Sequence, residues 1–502
     1  MLVVRALDDA PEQGVRKDDI YRLYIVDAHH HMGKEKTHRN TPGGAYDFYQ
    51  LLWFEMKRLS QHELENDSLL FEPVDVVASP FPSSVFSSRD SWSRMNHGWL
   101  VDRTIAFPYS DDYSKTGKDG EASFKVSNDK IAGWTTRAPH STRLIGFGRV
   151  DPQDAKKGNP DIAVRELDRA VLTLGLRGLK LHPLAQLFID ELEGDITKRI
   201  LKRAGELGIP AIFDTRNIKT VIRIKHLVDA MSEDPVYSQA AKKLNIILAH
   251  CGMSPGDSKL YDILRDPRFS ADTSTLHDQD IPLLCDMAIN RINTPAKHWS
   301  ESLLFGTDYS FLSTQAAEVI LYTLSRDFPG RLSDAQRILG GNALSIIQQP
   351  FKTTRRSRRY PRQLSCPNEE GKSRYIIEKA IISLLHNGEW DLSSLDSMLP
   401  PLHTWPELLP EELGGFNGVY TDSLLATLQS KEEDYELHLW IRTNPGDILT
   451  VAAVGTKGED SLKTLEFTTQ RIGESLLEEL SKNTRHESNA HSLVDSIPRI
   501  LR

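Results

Sequence analysis

Two histidines one residue apart end the first strongly apolar segment of the chain, Ile25-Val26-Asp27-Ala28-His29-His30-His31. Side chains two apart in a strand share a face, so His29 and His31 point together and His30 points away. Two imidazoles on one face suit a divalent ion such as zinc. The pair alone is weak, because histidines are common in loops. Asp308, in Phe305-Gly306-Thr307-Asp308, adds a carboxylate at the end of the last strongly apolar segment before residue 350. In isolation it reads as a turn or helix-capping residue. If the first and last strands are neighbours, Asp308 joins His29 and His31. Three protein ligands then leave room for water, as in a catalytic rather than a structural metal site. Asp27 either orients this strand end or is a structural hydrogen-bonding residue.

Other residues sit at comparable places. Lys180 and His182 share a face of Gly175-Leu176-Arg177-Gly178-Leu179-Lys180-Leu181-His182-Pro183. His182 is a substrate contact or a further metal ligand, and Lys180 a point charge for a substrate carboxylate. Arg216 either clamps an anion or is plain helix-start surface.

The elements that must hold these residues follow a rhythm. Strand-like segments at 24–31, 101–108, 143–152, 175–183, 210–215, 245–252, 269–275 and 303–310 are separated mostly by helical ones, among them 161–174, 196–207, 282–292 and 333–347. Strands alternating with helices imply a parallel sheet with helices outside. Eight such units suggest a (β/α)8 TIM barrel, whose eighth strand neighbours the first and whose sites lie at the C-terminal strand ends. A doubly wound open sheet would want a Gly-rich first turn, and there is none.

The expected organisation is an N-terminal extension (1–23), a barrel (24–348) carrying an insertion at 34–94 near the site, a basic linker (349–365) and a smaller C-terminal α+β module (366–502). The insertion contains a helix-like piece at 46–59. Its aromatics Tyr46, Phe48, Tyr49, Trp53 and Phe54 either line the pocket or form the core of a lid helix. In the C-terminal module the spacing predicts a helix over 374–386, a hairpin at 435–442 and 447–454 around Asn-Pro-Gly-Asp, and a closing helix over 464–480.

The 502 residues suit one large barrel plus a smaller domain. Apolar content of 39% and charged content of 26% are those of a soluble globular protein. A net charge of -9 argues against a nucleic-acid partner. The start of the chain does not read as a signal peptide, and no apolar run is long enough for a membrane span. Cys251, Cys285 and Cys366 are too scattered for a disulfide framework or a CxxC zinc site, which favours a reducing, cytoplasmic setting. The 352–362 run is basic and reads as a solvated linker.

Together, IVDAHHHMG, RLIGFGRVDP, GLRGLKLHP, NIILAHCG, LLFGTDYS and GGNAL resemble the amidohydrolase superfamily, in the branch that includes aminocarboxymuconate-semialdehyde decarboxylase. The resemblance covers about residues 22–348. It implies a barrel, one divalent ion (usually zinc) and hydrolysis or non-oxidative decarboxylation. It places a catalytic or supporting histidine at His250, where an imidazole can shuttle a proton or polarise a carbonyl. Family members put a metal-binding histidine at the end of the fifth strand, where this chain has Asp214. Asp214 either replaces it, making manganese or iron more plausible, or caps the next helix. In two-metal members a fourth-strand lysine is carbamylated, which would fall on Lys180. The expected chemistry is attack of a metal-activated water on a carbonyl-type small molecule, with Asp308 and His250 moving protons. Decarboxylation and a non-catalytic scaffold are the alternatives. A homo-oligomer or a partner through the C-terminal module is expected.

Overall fold

The computed structural model describes residues 2–11, 15–35, 38–76, 100–110, 121–135, 143–157, 159–292, 294, 297–309 and 313–348, together with strands between 390 and 468. Its first thirteen strands are β1 (Leu2–Ala6), β2 (Ile20–Leu23), β3 (Val26–Glu35), β4 (His38–Asn40), β5 (Phe71–Val76), β6 (Arg103–Pro108), β7 (Leu144–Gly146), β8 (Gly148–Arg149), β9 (Leu179–Leu181), β10 (Ala211–Phe213), β11 (Ile246–Leu248), β12 (Phe269–Asp272) and β13 (Leu303–Leu304). They form three ladders, β2-β1-β5, β4-β3-β6-β7 and β8-β9-β10-β11-β12-β13. Every pair from β3 through β13 is parallel except β3-β4. The result is a mixed α/β protein with a parallel sheet, as the alternating pattern implies.

Two sets of bonds link the parallel ladders. Phe147, between β7 and β8, donates its N–H to Ala106 O at 2.8 Å, and Gly148 N–H donates to Gly178 O at 2.9 Å. At the other end the chain beyond β13 meets β3. Ala28 N–H donates to Phe305 O at 2.9 Å, Asp308 N–H donates to His29 O at 2.8 Å, and His30 makes a parallel bridge with Tyr309.

Side-chain alternation sorts the core into two clusters. Val26, Ala28, Ile105, Phe107, Ile145, Phe147, Ile212, Ile247 and Leu304 pack together, joined by Leu344 and Ile347 of the helix Asn342–Gln348. Their strand neighbours Ala106, Leu179, Leu181, Ala211, Phe213, Ile246 and Leu248 join the larger cluster with the helices. The strands are thus apolar on both faces, as a parallel sheet covered by helices requires. Lys180, between Leu179 and Leu181, falls in the phase of the smaller cluster and is fully buried. Full burial of each such Ile or Leu side chain stabilises by roughly 1.5–3 kcal/mol.

The outer elements differ from expectation in three ways. The N-terminal segment is integrated, because β1 pairs antiparallel with both β2 and β5 and so ties the N-terminal extension to the insertion. The insertion holds a long helix, α1 (Pro42–Glu65), extending past the expected piece at both ends. Tyr46, Phe48 and Tyr49 are buried beneath it, Trp53 is partly buried and Phe54 is exposed.

The third difference lies beyond residue 389, where the described residues form one antiparallel sheet: β14 (Trp390–Asp396), β15 (Leu425–Ser430), β16 (Tyr435–Asn444), β17 (Ile448–Lys457) and β18 (Asp460–Thr468), paired in that order. The expected hairpin is present, with Asn444 paired to Ile448. The expected helix over 464–480 is not borne out over residues 464–468, which belong to β18. There Leu465 and Phe467 alternate with threonine and glutamate at the period of a strand. The helix expected over 374–386 lies outside the described residues. No described helix is long and apolar enough to cross a membrane.

Candidate metal centre

The centre is assembled where β3 ends. The register of β3 on β6 slips between Asp27 and His30. A slip of this kind re-aims side chains and is common beside active sites. Asp27 holds the distorted stretch. It accepts His29 N–H at 3.0 Å, Tyr49 Oη at 2.8 Å, Thr307 N–H at 2.9 Å and Thr307 Oγ1 at 2.6 Å, and faces His30 Nδ1 at 3.1 Å. One carboxylate thus binds β3, α1 and the segment after β13. His30 turns away from the centre, stacking on Tyr309 with ring centroids 4.9 Å apart. A Cβ on Gly306 would stand 3.0 Å from His29 Cβ and 3.3 Å from Ser274 Cβ, so any larger residue at this position before Asp308 would press on His29.

His29 and His31 meet Asp308 as the strand reading predicts. Asp308 Oδ1 is 3.5 Å from His29 Nε2 and 3.2 Å from His31 Nε2. A second triad shares His29 and adds Asp214 and His250. Asp214 Oδ2 lies 3.5 Å from His250 Nε2 and 3.4 Å from Lys180 Nζ, while Oδ1 lies 2.9 Å from Arg216 Nε and 3.3 Å from His182 Nε2. Lys180 Nζ donates to His29 Nε2 at 3.0 Å. All eight candidate residues therefore lie in one connected cluster.

Asp214 does not cap the next helix. That place is taken by Asn217, whose side chain accepts Thr220 N–H at 2.9 Å. Arg216, partly exposed, clamps an internal anion, Asp214.

Residues 115–347 match the amidohydrolase family model. Over that segment the chain is similar to the amidohydrolases. The matched span contains Lys180, His182, Asp214, Arg216, His250 and Asp308, and begins after the His29–His31 pair. Solved structures similar to this chain include a candidate amidohydrolase from Staphylococcus aureus (14% identity, TM-score 0.40, covering 65% of this chain and 99% of that one). Another is an uncharacterised TIM-barrel protein from Bordetella bronchiseptica (16%, TM-score 0.37, 66% and 100%). A third is the 4-oxalomesaconate hydratase of Rhodopseudomonas palustris (16%, TM-score 0.38, 66% and 98%). No curated protein matches the chain. The match over this segment implies metal-dependent hydrolase or lyase-type chemistry.

The donor set of this centre fits a divalent ion. Metal-binding imidazoles must be neutral and carboxylates ionised. Burial lowers the His29 pKa, with the Lys180 ammonium adding to it, and pushes His31 down to about 3 against the pull of Asp308. Burial would raise Asp308, but the facing histidines hold it below the usual carboxylate range. Elsewhere, burial lowers Lys180 to about 8 and His182 to about 3, against Asp214 in both cases. Burial would also raise Asp214, yet Lys180 and then His250 keep it ionised. His250 is raised instead, because Asp214 outweighs the burial that opposes its charge.

The centre also contains a residue that the sequence pattern passes over. Asp272, at the end of β12, faces His29 Nδ1 at 2.9 Å and accepts His250 N–H at 3.0 Å and Ser274 N–H at 3.2 Å. The Ser274 hydroxyl also donates to it and lies 2.9 Å from His250 Nδ1. A carboxylate behind an imidazole fixes its tautomer and orientation. Here it leaves the His29 Nε2 lone pair facing the centre. The one available sign was its place within the seventh predicted strand, 269–275.

Backbone strain concentrates here as well. His250, Cys251 and Met253 have φ of 59°, 48° and 49°, and Asp308 has φ of 49°. Non-glycine residues in this left-handed region store of order 1–3 kcal/mol each and persist where the surroundings over-determine them.

Proposed function

We propose that this chain is a metal-dependent hydrolase on a (β/α)8 barrel, acting on a carbonyl-type bond (amide, ester or lactone) of a small molecule. The observation that carries this reading is the convergence of two neutral imidazoles and one ionised carboxylate, His29, His31 and Asp308, at buried strand ends. They would hold one divalent ion, zinc first, with manganese or iron as alternatives. Such an ion supplies Lewis acidity toward water and a carbonyl oxygen.

The protein's own groups do the rest. Asp308, beside both histidines, accepts a proton from the attacking water. His250 Nε2 is buried, with Asp214 Oδ2 at 3.5 Å and no closer hydrogen-bond partner among the described residues, so it can also serve a substrate oxygen or leaving group. With its pKa raised by Asp214, His250 delivers a proton as the bond breaks. Lys180, His182 and Arg216 stand around Asp214 on one side of the centre and orient the substrate's polar groups.

The test pairs metal content with turnover. Wild type should carry about one ion per chain, lose activity to a chelator and regain it with zinc. Asp308→Ala should abolish turnover of amide, ester and lactone substrates while keeping the circular dichroism spectrum. Full activity in that variant, or activity indifferent to chelation, refutes the assignment. A folded wild type that takes up no ion favours the scaffold alternative. Decarboxylation is the second reading, favoured by the raised His250, since a protonated imidazole facing the centre suits protonation of a carbon that loses carbon dioxide. Release of carbon dioxide from carboxylated aromatics, without hydrolysis of any ester or amide, would select it.

A further inference from the structure

We infer that the Lys180 ammonium is the resident cation of a second position in this centre, and that Asp214 is its counter-ion and not a ligand of the divalent ion. The inference rests on the metal-dependent reading above and concerns how many ions the centre takes and where. Two triads of potential ligands share His29: His29, His31 and Asp308 on one side, His29, Asp214 and His250 on the other. The second triad already has a cation against it. Lys180 Nζ lies 3.0 Å from His29 Nε2 and 3.4 Å from Asp214 Oδ2, which are two of its three members. The ammonium is fully buried and also lies 4.7 Å from the centre of the Phe107 ring.

Both oxygens of Asp214 are committed on that side. Oδ1 takes Arg216 and His182, and Oδ2 faces Lys180 and His250. A divalent ion in the second triad would stand within a few ångströms of the ammonium in a buried site, where like charges repel strongly. A carbamate on Nζ would instead set a new anion against Asp214, so the unmodified ammonium is the form that this pocket complements. His29 Nε2 has one lone pair. When the first triad takes an ion, that lone pair goes to the ion and Lys180 remains with Asp214. The aspartate at the fifth strand end is then matched to a lysine at the fourth.

Ion counting tests this without an activity assay. Chelator-stripped wild type, Lys180→Met and Asp214→Asn are reloaded with zinc, dialysed and measured by elemental mass spectrometry, with circular dichroism as the check on folding. The expected result is one ion in wild type and one more in Lys180→Met, because removing the ammonium frees Asp214 and His250, which can hold a second ion without competing for the His29 lone pair. A folded Lys180→Met with the wild-type count overturns the inference. If that variant does not fold, Asp214→Asn decides: retention of the wild-type ion supports the counter-ion role, and its loss from a folded protein overturns it. No ion in wild type but one in Lys180→Met would defeat the metal-dependent reading while leaving the lysine assignment standing. No ion in either defeats both.

Discussion

Replacing Asp272 by asparagine should cost the protein its ion before it costs the protein its fold. One oxygen of Asp272 accepts His250 N–H, Ser274 N–H and the Ser274 hydroxyl, and the other faces His29 Nδ1 at 2.9 Å. An asparagine has one oxygen, and the backbone donors claim it. Its amide nitrogen must then face His29 Nδ1, which has to accept rather than donate. The His29 proton moves to Nε2, and the lone pair that faces Asp308 and Lys180 disappears. Loss of such a supporting carboxylate typically lowers metal affinity about 10–100-fold, or about 1.4–2.7 kcal/mol. The fold loses less: a charge-assisted bond of roughly 1.5–3 kcal/mol becomes a neutral one of roughly 0.5–1.5. Asp272→Ala is different, since it strands several buried donors at about 1–3 kcal/mol each. Zinc affinity by chelator competition and stability by urea unfolding separate the two effects. Asp272→Asn binding zinc as tightly as wild type would refute the tautomer argument.

Three further outcomes follow from the same geometry. The Asp272 carboxyl titrates near 2 in the fold instead of its ordinary 3.8, since His29 and Ser274 outweigh the burial that would raise it. A depressed carboxylate pKa stabilises above the unfolded value and that stability is lost as pH falls, so the advantage of wild type over Asp272→Asn should shrink by about 2 kcal/mol between about pH 4 and pH 2; a pH-independent gap in urea melts would contradict this. Asp27→Ala should destabilise by about 3 kcal/mol or more, because it strands donors from β3, α1 and the Thr307 segment, whereas Tyr49→Phe should cost about 1 kcal/mol; equal melting temperatures for the two would be inconsistent with Asp27 as the hub. Asn217→Ala removes a helix cap and should cost about 1 kcal/mol while leaving zinc content untouched; loss of the ion in this variant would contradict a purely capping role.

What could be read before folding was whatever a local spacing encodes. His29 and His31 declare a shared face because they sit two apart in a strand-like segment, and Asp308 declares itself only through the order of the segments. The strand-helix alternation supplied the parallel sheet. Asp272 was invisible because the imidazole that gives it meaning is 243 residues away in the chain. Alternation by itself also did not foresee the slipped register at Asp27, which lets Ala28 lie in the apolar interior while His29 enters the centre. For Asp214 the choice between ligand and cap turned on Asn217 and Lys180: the first supplies the cap, and the second reaches Asp214 from a different strand. The pairing of β1 with β5 joins segments that no periodicity relates. In the 464–468 stretch, the period of two in Leu465 and Phe467 was the better guide than the helical reading.

The left-handed backbone at His250 and Asp308 sets the terms on which this protein can be improved. Glycine is the residue that tolerates such φ values, so substituting it there relieves strain, whereas alanine does not. A library screened only for heat resistance would therefore drift toward glycine at the two positions where histidine and aspartate face the centre. Stabilised variants selected without a functional screen should arrive inactive, and the sites to leave unvaried in an engineering campaign are these strained ones as much as the metal-facing pair on β3.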